Sequence, residues 1–313
     1  MILSVSRRTD IPSYYVEWFL RRIEEGFLYV KNPINAHQIS RIDLSPEVVD
    51  CIVFWTKNPA NMMTQLERLR DYLYYFQFTL TPYGKEMEPG LPDKKELLST
   101  FRSLSEKIGK EKVIWRYDPI FLSEKYTVDH HLEAFGKMAD ALAGYTERVV
   151  ISFIDLYAKT QRNMAGSGMR EMTEKDMLSL AAGIAKTAAE HHLSVESCAE
   201  QIPLQDFGIR HGSCIDKALI ERLTGCTLAG TKDKNQRKEC GCLESVEVGT
   251  YHTCLNGCKY CYANFQDAKV RENAKLYDVD SPLLCGNIGP EDRITVRKAR
   301  TLKDGQIDLF SQT

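Results

Sequence analysis

Several things are missing from this 313-residue chain. No apolar run approaches the roughly 18 to 20 residues that a membrane-spanning helix needs. The opening MILSVSRRTDIPSYY lacks an apolar core behind a basic start, so it is not expected to act as a secretory signal, and the expected location is the cytoplasm. Neither sign of charge is in excess: 41 Lys and Arg face 43 Asp and Glu, a net charge of −2. Bulk electrostatics therefore do not demand a nucleic-acid partner, although a local basic groove stays open. No glycine-rich phosphate loop follows the first strand candidate, which argues against an open nucleotide-binding sheet. Cysteine is scarce at first, with only Cys51 in the first 197 residues.

Nine further cysteines then crowd between Cys198 and Cys285. Core thiols would scatter, and disulfides belong to oxidising compartments, so the crowding points to a metal-binding last third. Cys51, Cys226 and Cys285 have apolar neighbours and are expected to be packed thiols.

Strand candidates at 2–6, 51–56, 75–81, 112–117, 148–154 and 193–198, with weaker ones at 226–230 and 245–249, alternate with helical windows. Those windows lie near 13–26, 60–73, 93–108, 128–144, 173–191 and 214–224, with Thr127 and Thr173 placed to cap two of them. About eight strand–helix units predict an α/β fold built as a TIM-like (β/α) barrel, permuted or partly open, with a C-terminal iron–sulfur region. The expected division is a barrel over 1–250, a cluster loop and packing extension over 251–290, and a polar tail over 291–313. The stretch 159–172 reads as a loop. Polar residues stand at successive strand ends: Ser6 to Asp10, Thr56 and Lys57, Thr79 and Thr81, Arg116 and Asp118, Ser152 and Asp155, then Glu196 and Cys198. Together they predict a polar pocket over one mouth of the barrel.

The sharpest motif is Cys254-Leu-Asn-Gly-Cys258-Lys-Tyr-Cys261. Three thiolates on one short loop can hold three corners of a cubane cluster and leave one iron without a protein ligand. Gly257 lets the loop turn closely. This spacing, with an aromatic residue before the last cysteine, resembles the cluster loop of the radical S-adenosylmethionine superfamily. Tyr260-Cys261-Tyr262-Ala263 and strands ending Trp-Thr-Lys and Arg-Tyr-Asp-Pro are most similar to the spore photoproduct lyase branch. As a whole the chain resembles an uncharacterised bacterial family with a C-terminal cluster loop.

The resemblance implies a [4Fe–4S] cluster whose open iron binds S-adenosyl-L-methionine, a 5′-deoxyadenosyl radical, and a reductant such as ferredoxin or flavodoxin. It departs from the superfamily in two respects: no Gly-Gly-Glu segment for the cofactor's amino group is evident, and the loop follows the last strand candidate rather than the first. A permuted ring, with the last strand beside the first, reconciles the second. For the cofactor pocket the expected residues are Tyr260 near the adenine, Lys57 or Arg116 on the carboxylate, and Ser152 at the neighbouring strand end. Arg7, Arg8 and Asp10 are placed to grip an anionic substrate group.

A second set, Cys198, Cys214, Cys240 and Cys242, predicts either another iron–sulfur cluster or structural zinc. His252 is a loop residue near the first motif. The ending Gln306-Ile307-Asp308-Leu309-Phe310 resembles the peptide by which bacterial proteins bind the DNA sliding clamp, with Gln306, Leu309 and Phe310 as anchors. That would suit a nucleic-acid substrate. Two other classes stay open: a radical enzyme acting on a small molecule or peptide, and an iron–sulfur electron carrier or zinc-stabilised binding protein.

Overall fold

A computed structural model describes residues 1–155 and 158–304. Its centre is an all-parallel sheet of eight strands: β1 (Ile2–Val5), β2 (Cys51–Thr56), β3 (Tyr74–Thr79), β4 (Val113–Ile120), β5 (Arg148–Phe153), β6 (Ser194–Ser197), β7 (Arg210–His211) and β8 (Val246–Glu247). Their spatial order is β7-β6-β5-β4-β3-β2-β1-β8. The order follows the chain except that the last strand lies beside the first, with Leu3 opposite Val246 and Ser4 opposite Glu247. That neighbour relation is the one the permuted reading required.

Both faces of the sheet are covered, as parallel strands demand, and this accounts for the near-continuous apolar runs in the sequence. One face packs against the crossover helices. Phe78 meets Phe101 of Lys94–Ile108 at 5.0 Å between ring centroids, and Trp115 stacks on Phe135 of Val128–Leu142 at 4.9 Å. Each such buried ring contributes about 1.5–3 kcal/mol. The helices start where the caps predicted: the Thr127 hydroxyl accepts from His130 N–H, and Thr173 forms a reciprocal capping box with Asp176. The other face buries Ile2, Val53, Tyr75, Ile114 and Val150 near the strand starts, against the helix Lys217–Thr224.

The closed ring is not found. Among the described residues no pairing joins β7 to β8, so the sheet keeps two edges. Irregular segments close the gap instead: Leu243 N–H donates to Ile215 O at 3.0 Å, and Ile215 N–H to Cys242 Sγ at 3.4 Å. The window 226–230 is not a sheet strand, since Leu228 makes only a single bridge to Lys303. The seventh strand is the two-residue β7, too short and too polar to register as a hydrophobic pattern.

Two other regions depart from expectation. The stretch 159–172 is not all loop, because it overlaps the helix Ala158–Asn163 and contains Met169–Arg170, which pairs antiparallel with Leu122–Ser123. The last segment is tied to the body over 293–304. Arg293–Val296 runs parallel to Gln38–Asp43 in a small sheet that Phe27–Lys31 completes, and Leu302 N–H donates to Asp50 at 2.7 Å. The peptide 306–310 lies outside the described residues. Among those described, no helix is long and apolar enough to cross a membrane.

Candidate functional site

The C-terminal ends of the parallel strands open into one cavity of about 740 Å³. Every strand end the sequence singled out reaches it, through Ser6 to Asp10, Thr56, Lys57, Thr79, Arg116, Asp118, Ser152, Asp155 and Cys198; only Thr81 and Glu196 stand back. Both cysteine sets line it too: Cys254, Cys258 and Cys261 in one, Cys198, Cys214, Cys240 and Cys242 in the other. The sequence treated the sets as separate; the fold puts them on one chamber.

The first set hangs from β8 over the ends of β1 and β2. Its anchor is Asp10, a buried carboxylate that accepts from the Thr56 hydroxyl (2.7 Å), Lys57 N–H (2.8 Å), Ser13 N–H (3.1 Å) and the Asn256 amide (3.0 Å). Asn256 lies inside the cysteine loop, so one carboxylate joins two strand ends to the cysteine motif. The Asn256 side-chain oxygen accepts from the Tyr14 hydroxyl (2.8 Å), and Cys254 N–H donates to Asn264 (3.1 Å). Gly257 has φ +66°, and a Cβ there would lie 3.2 Å from the Pro89 ring, so glycine suits both its conformation and its space. Gly90 is under tighter constraint, because a Cβ on it would stand 2.8 Å from Asn256 O. Burial drives the Cys254 thiol well above its ordinary pKa. Burial likewise pushes Cys258 up to about 12, although Lys57 pulls the other way. These thiols need a positive centre to become thiolates, as a cluster's irons would supply.

Lys57 and Tyr260, expected to hold the cofactor, share a carboxylate that the sequence did not reveal. Lys57 Nζ lies 2.8 Å from Glu88 Oε1, Thr81 donates to the same oxygen at 2.9 Å, and the Tyr260 hydroxyl and Lys94 also bind Glu88. The Lys57 ammonium sits 5.4 Å from the Tyr260 ring centroid. Burial would raise the Glu88 carboxyl, but the Lys57 and Lys94 ammoniums outweigh it and hold the group at about 2. Glu88 falls within a Pro- and Gly-rich stretch without periodicity, so no pattern marked it.

Arg116 belongs to the opposite wall. Its Nε donates to Asp118 at 3.0 Å, with a second contact to the other carboxylate oxygen, and its Nη1 reaches Cys214 Sγ at 2.8 Å. Ser152 stands 3.4 Å from Asp118 and thus accompanies Arg116. Of the four residues assigned to the cofactor, two face the first cysteine set and two the second.

The second set is assembled from three chain segments. The Tyr75 hydroxyl and Gln77 amide on β3 hold the Cys214 carbonyl at 2.7 and 2.9 Å. Cys198 Sγ and Cys214 Sγ stand 3.3 Å apart, while Cys242 hydrogen-bonds both Cys214 and Cys240. Hydrogen bonds from Cys198 and Cys242, helped by Arg116, hold the Cys214 thiol well below its ordinary value, and as donor in its pair Cys198 moves up. Among the described residues no three His, Cys, Asp or Glu are grouped as a single metal ion requires. A cubane imposes a different demand, since its thiolates stand apart at separate corners of a bulky core. Seven thiols border a cavity that also carries the guanidinium groups of Arg7, Arg8, Arg116 and Arg237, and the three on the Cys254–Cys261 loop match that donor chemistry. His252 takes no place on the cavity wall; its ring packs on Phe265 at 4.3 Å.

Comparison with known proteins gives one match. The family described as "Domain of unknown function (DUF1848)" matches residues 2–263, which takes in all eight strands and the whole Cys254–Cys261 loop. No curated protein and no solved structure matches the chain. The chain therefore belongs to the DUF1848 family.

Proposed function

We propose that this protein is a radical S-adenosylmethionine enzyme whose cluster is held by Cys254, Cys258 and Cys261, in a permuted and partly open relative of the (β/α) barrel. One observation carries the reading: a three-cysteine loop of that spacing borders a large cavity, lined in part by charged side chains, at the C-terminal ends of a parallel sheet. An electron carrier has no use for such a cavity. When bound, the cluster and S-adenosyl-L-methionine would supply the 5′-deoxyadenosyl radical.

The chain's own groups have three tasks. Asp10 and Asn256 fix the loop over β1 and β2. Glu88 holds the Lys57 ammonium and the Tyr260 ring at the same wall, where a cation and an aromatic face suit a zwitterionic nucleoside ligand. The cavity walls shield the reacting atoms from water. Cys198, Cys214, Cys240 and Cys242 would take a second cluster or zinc, with Arg116 as a charge-assisted donor to Cys214. The reading extends to a cytoplasmic enzyme for repair or modification of nucleic acid, tethered to the sliding clamp through Gln306, Leu309 and Phe310 and reduced by ferredoxin or flavodoxin.

Anaerobic reconstitution tests it. Iron should load at the Cys254–Cys261 loop, and reduction with S-adenosyl-L-methionine should release 5′-deoxyadenosine. A protein that carries only zinc, or a cluster that never cleaves the sulfonium, would refute the proposal.

A further inference from the structure

Three of the five cations on the cavity wall have a carboxylate partner. Lys57 is paired with Glu88, Arg116 with Asp118, and Arg237 with Asp155. Asp10 is saturated by four N–H and O–H donors. Arg7 and Arg8, adjacent at the end of β1, form no ion pair among the described residues.

Arg7 is the more telling of the two. Its guanidinium lies over the Trp55 ring, 4.9 Å from the centroid, and its Nη2 is shielded from water with no hydrogen-bond partner. Buried charged donors are normally satisfied, so an orphan on a cavity wall marks a place where something else binds. Glu247, on the adjoining strand, does not fill the role. Its carboxylate accepts from the Ser4 hydroxyl (2.6 Å) and from the backbone N–H groups of Arg7 (3.1 Å) and Gly249 (2.9 Å). Arg8 spreads over the Tyr251 ring at 4.7 Å, with one long contact to Gly249 O. Stacking on a ring orients a planar guanidinium and leaves its edge free to donate.

We infer that Arg7 and Arg8 form an anion subsite that receives a phosphate group of the substrate. The inference rests on the cavity's being the active site and names the chemistry of what enters it. Phosphate fits better than carboxylate because it presents a tetrahedral set of oxygens that two guanidinium forks can share, whereas a carboxylate has two oxygens in one plane. The phosphate can belong to a nucleic-acid strand or to a free phosphorylated compound, and the ligands below separate these sources.

Calorimetry on the full-length, anaerobically reconstituted protein is the test, using thymidine 5′-monophosphate, the dinucleoside phosphate TpT, inorganic phosphate and acetate. Thymidine monophosphate or TpT should bind, inorganic phosphate should compete, and acetate should not. The tighter of the first two identifies the source, a free ester or a strand. Arg7→Gln should weaken binding about tenfold or more, and Arg8→Gln by less, as expected for losing hydrogen bonds to a charged group. Arg7→Lys, which keeps the charge, should recover part of the affinity and shows that loss in Arg7→Gln is not misfolding.

Equal affinity in wild type and both Gln variants would overturn the inference, as would acetate binding as well as phosphate. One-for-one displacement of thymidine monophosphate by S-adenosyl-L-methionine would also overturn it, because the arginines would then hold the cofactor's carboxylate. Phosphate binding that persists in a protein unable to cleave S-adenosyl-L-methionine would support the subsite while removing the radical function.

Discussion

Two cysteine sets border the same cavity, yet they are built in opposite ways. Cys254, Cys258 and Cys261 occupy eight consecutive residues, and their environment is supplied by groups brought to them: Asp10, Asn264 and Gly90. Cys198, Cys214, Cys240 and Cys242 come from three segments and meet only because β3 holds the Cys214 carbonyl and Leu243 pairs with Ile215. The first set is a local motif positioned by the fold. The second is a product of the fold, and it spans the place where the sheet fails to close.

That contrast predicts different consequences of damage. Cys258→Ala should abolish 5′-deoxyadenosine formation outright and lower the thermal midpoint by less than Cys242→Ala does, because its loop stays tied to the body through Asp10 and Asn264; melting and turnover assays would read the two effects side by side. Cys242→Ala should do the converse: iron falls by one cluster, about four atoms per chain, or one zinc is lost, and the melting temperature drops because a ligand that stabilises only the folded state is gone. If both variants lose stability equally, the distinction between motif and seam fails.

A smaller effect is expected one layer behind the loop. Asn256→Ala leaves the buried Asp10 carboxylate short of a donor, at a cost of about 1–3 kcal/mol in denaturant unfolding. Cluster content should fall with it, because the loop loses its tie to β1 and β2. Asn256→Asp should be worse, since it sets a second carboxylate against Asp10.

The mildest prediction concerns acid. Glu88 titrates at about 2 in the folded protein, below the roughly 4.3 of an unfolded glutamate. The unfolded chain thus takes up this proton first as pH falls. The stabilisation is complete above that unfolded value and is lost between about pH 4 and 2. Glu88→Gln should flatten the pH dependence of stability across this window; an unchanged slope would remove Glu88 as the hub of the Lys57–Tyr260 wall.

The same contrast explains what could be read in advance. Strands β1 to β6, the caps at Thr127 and Thr173, and the Cys254–Cys261 loop are written in consecutive residues, by apolar runs, cap chemistry and spacing. What escaped depends on partners far away in the chain. β7 is two exposed residues whose strand character comes only from pairing with Ser197 and Glu196. Arg293–Val296 looks like a polar tail until Gln38–Asp43 supplies its ladder. The window 226–230 has strand-like composition but no neighbour to pair with. Glu88 carries no pattern, and its role appears only when Lys57, Lys94 and Tyr260 converge on it. Arg116 was expected beside the first cysteine set because its strand end faces the cavity, but the residue's position on β4 sets it against Cys214 instead.

The pairing of β8 with β1 has a consequence for the order of events during synthesis. The first strand made is the neighbour of the last, and Asp10 waits for Asn256, 246 residues downstream. A nascent chain emerges N-terminus first, so β1, β2 and the Asp10 anchor are made long before the cysteine loop that they position. A cluster held as proposed would therefore be inserted only once the loop has met Asp10.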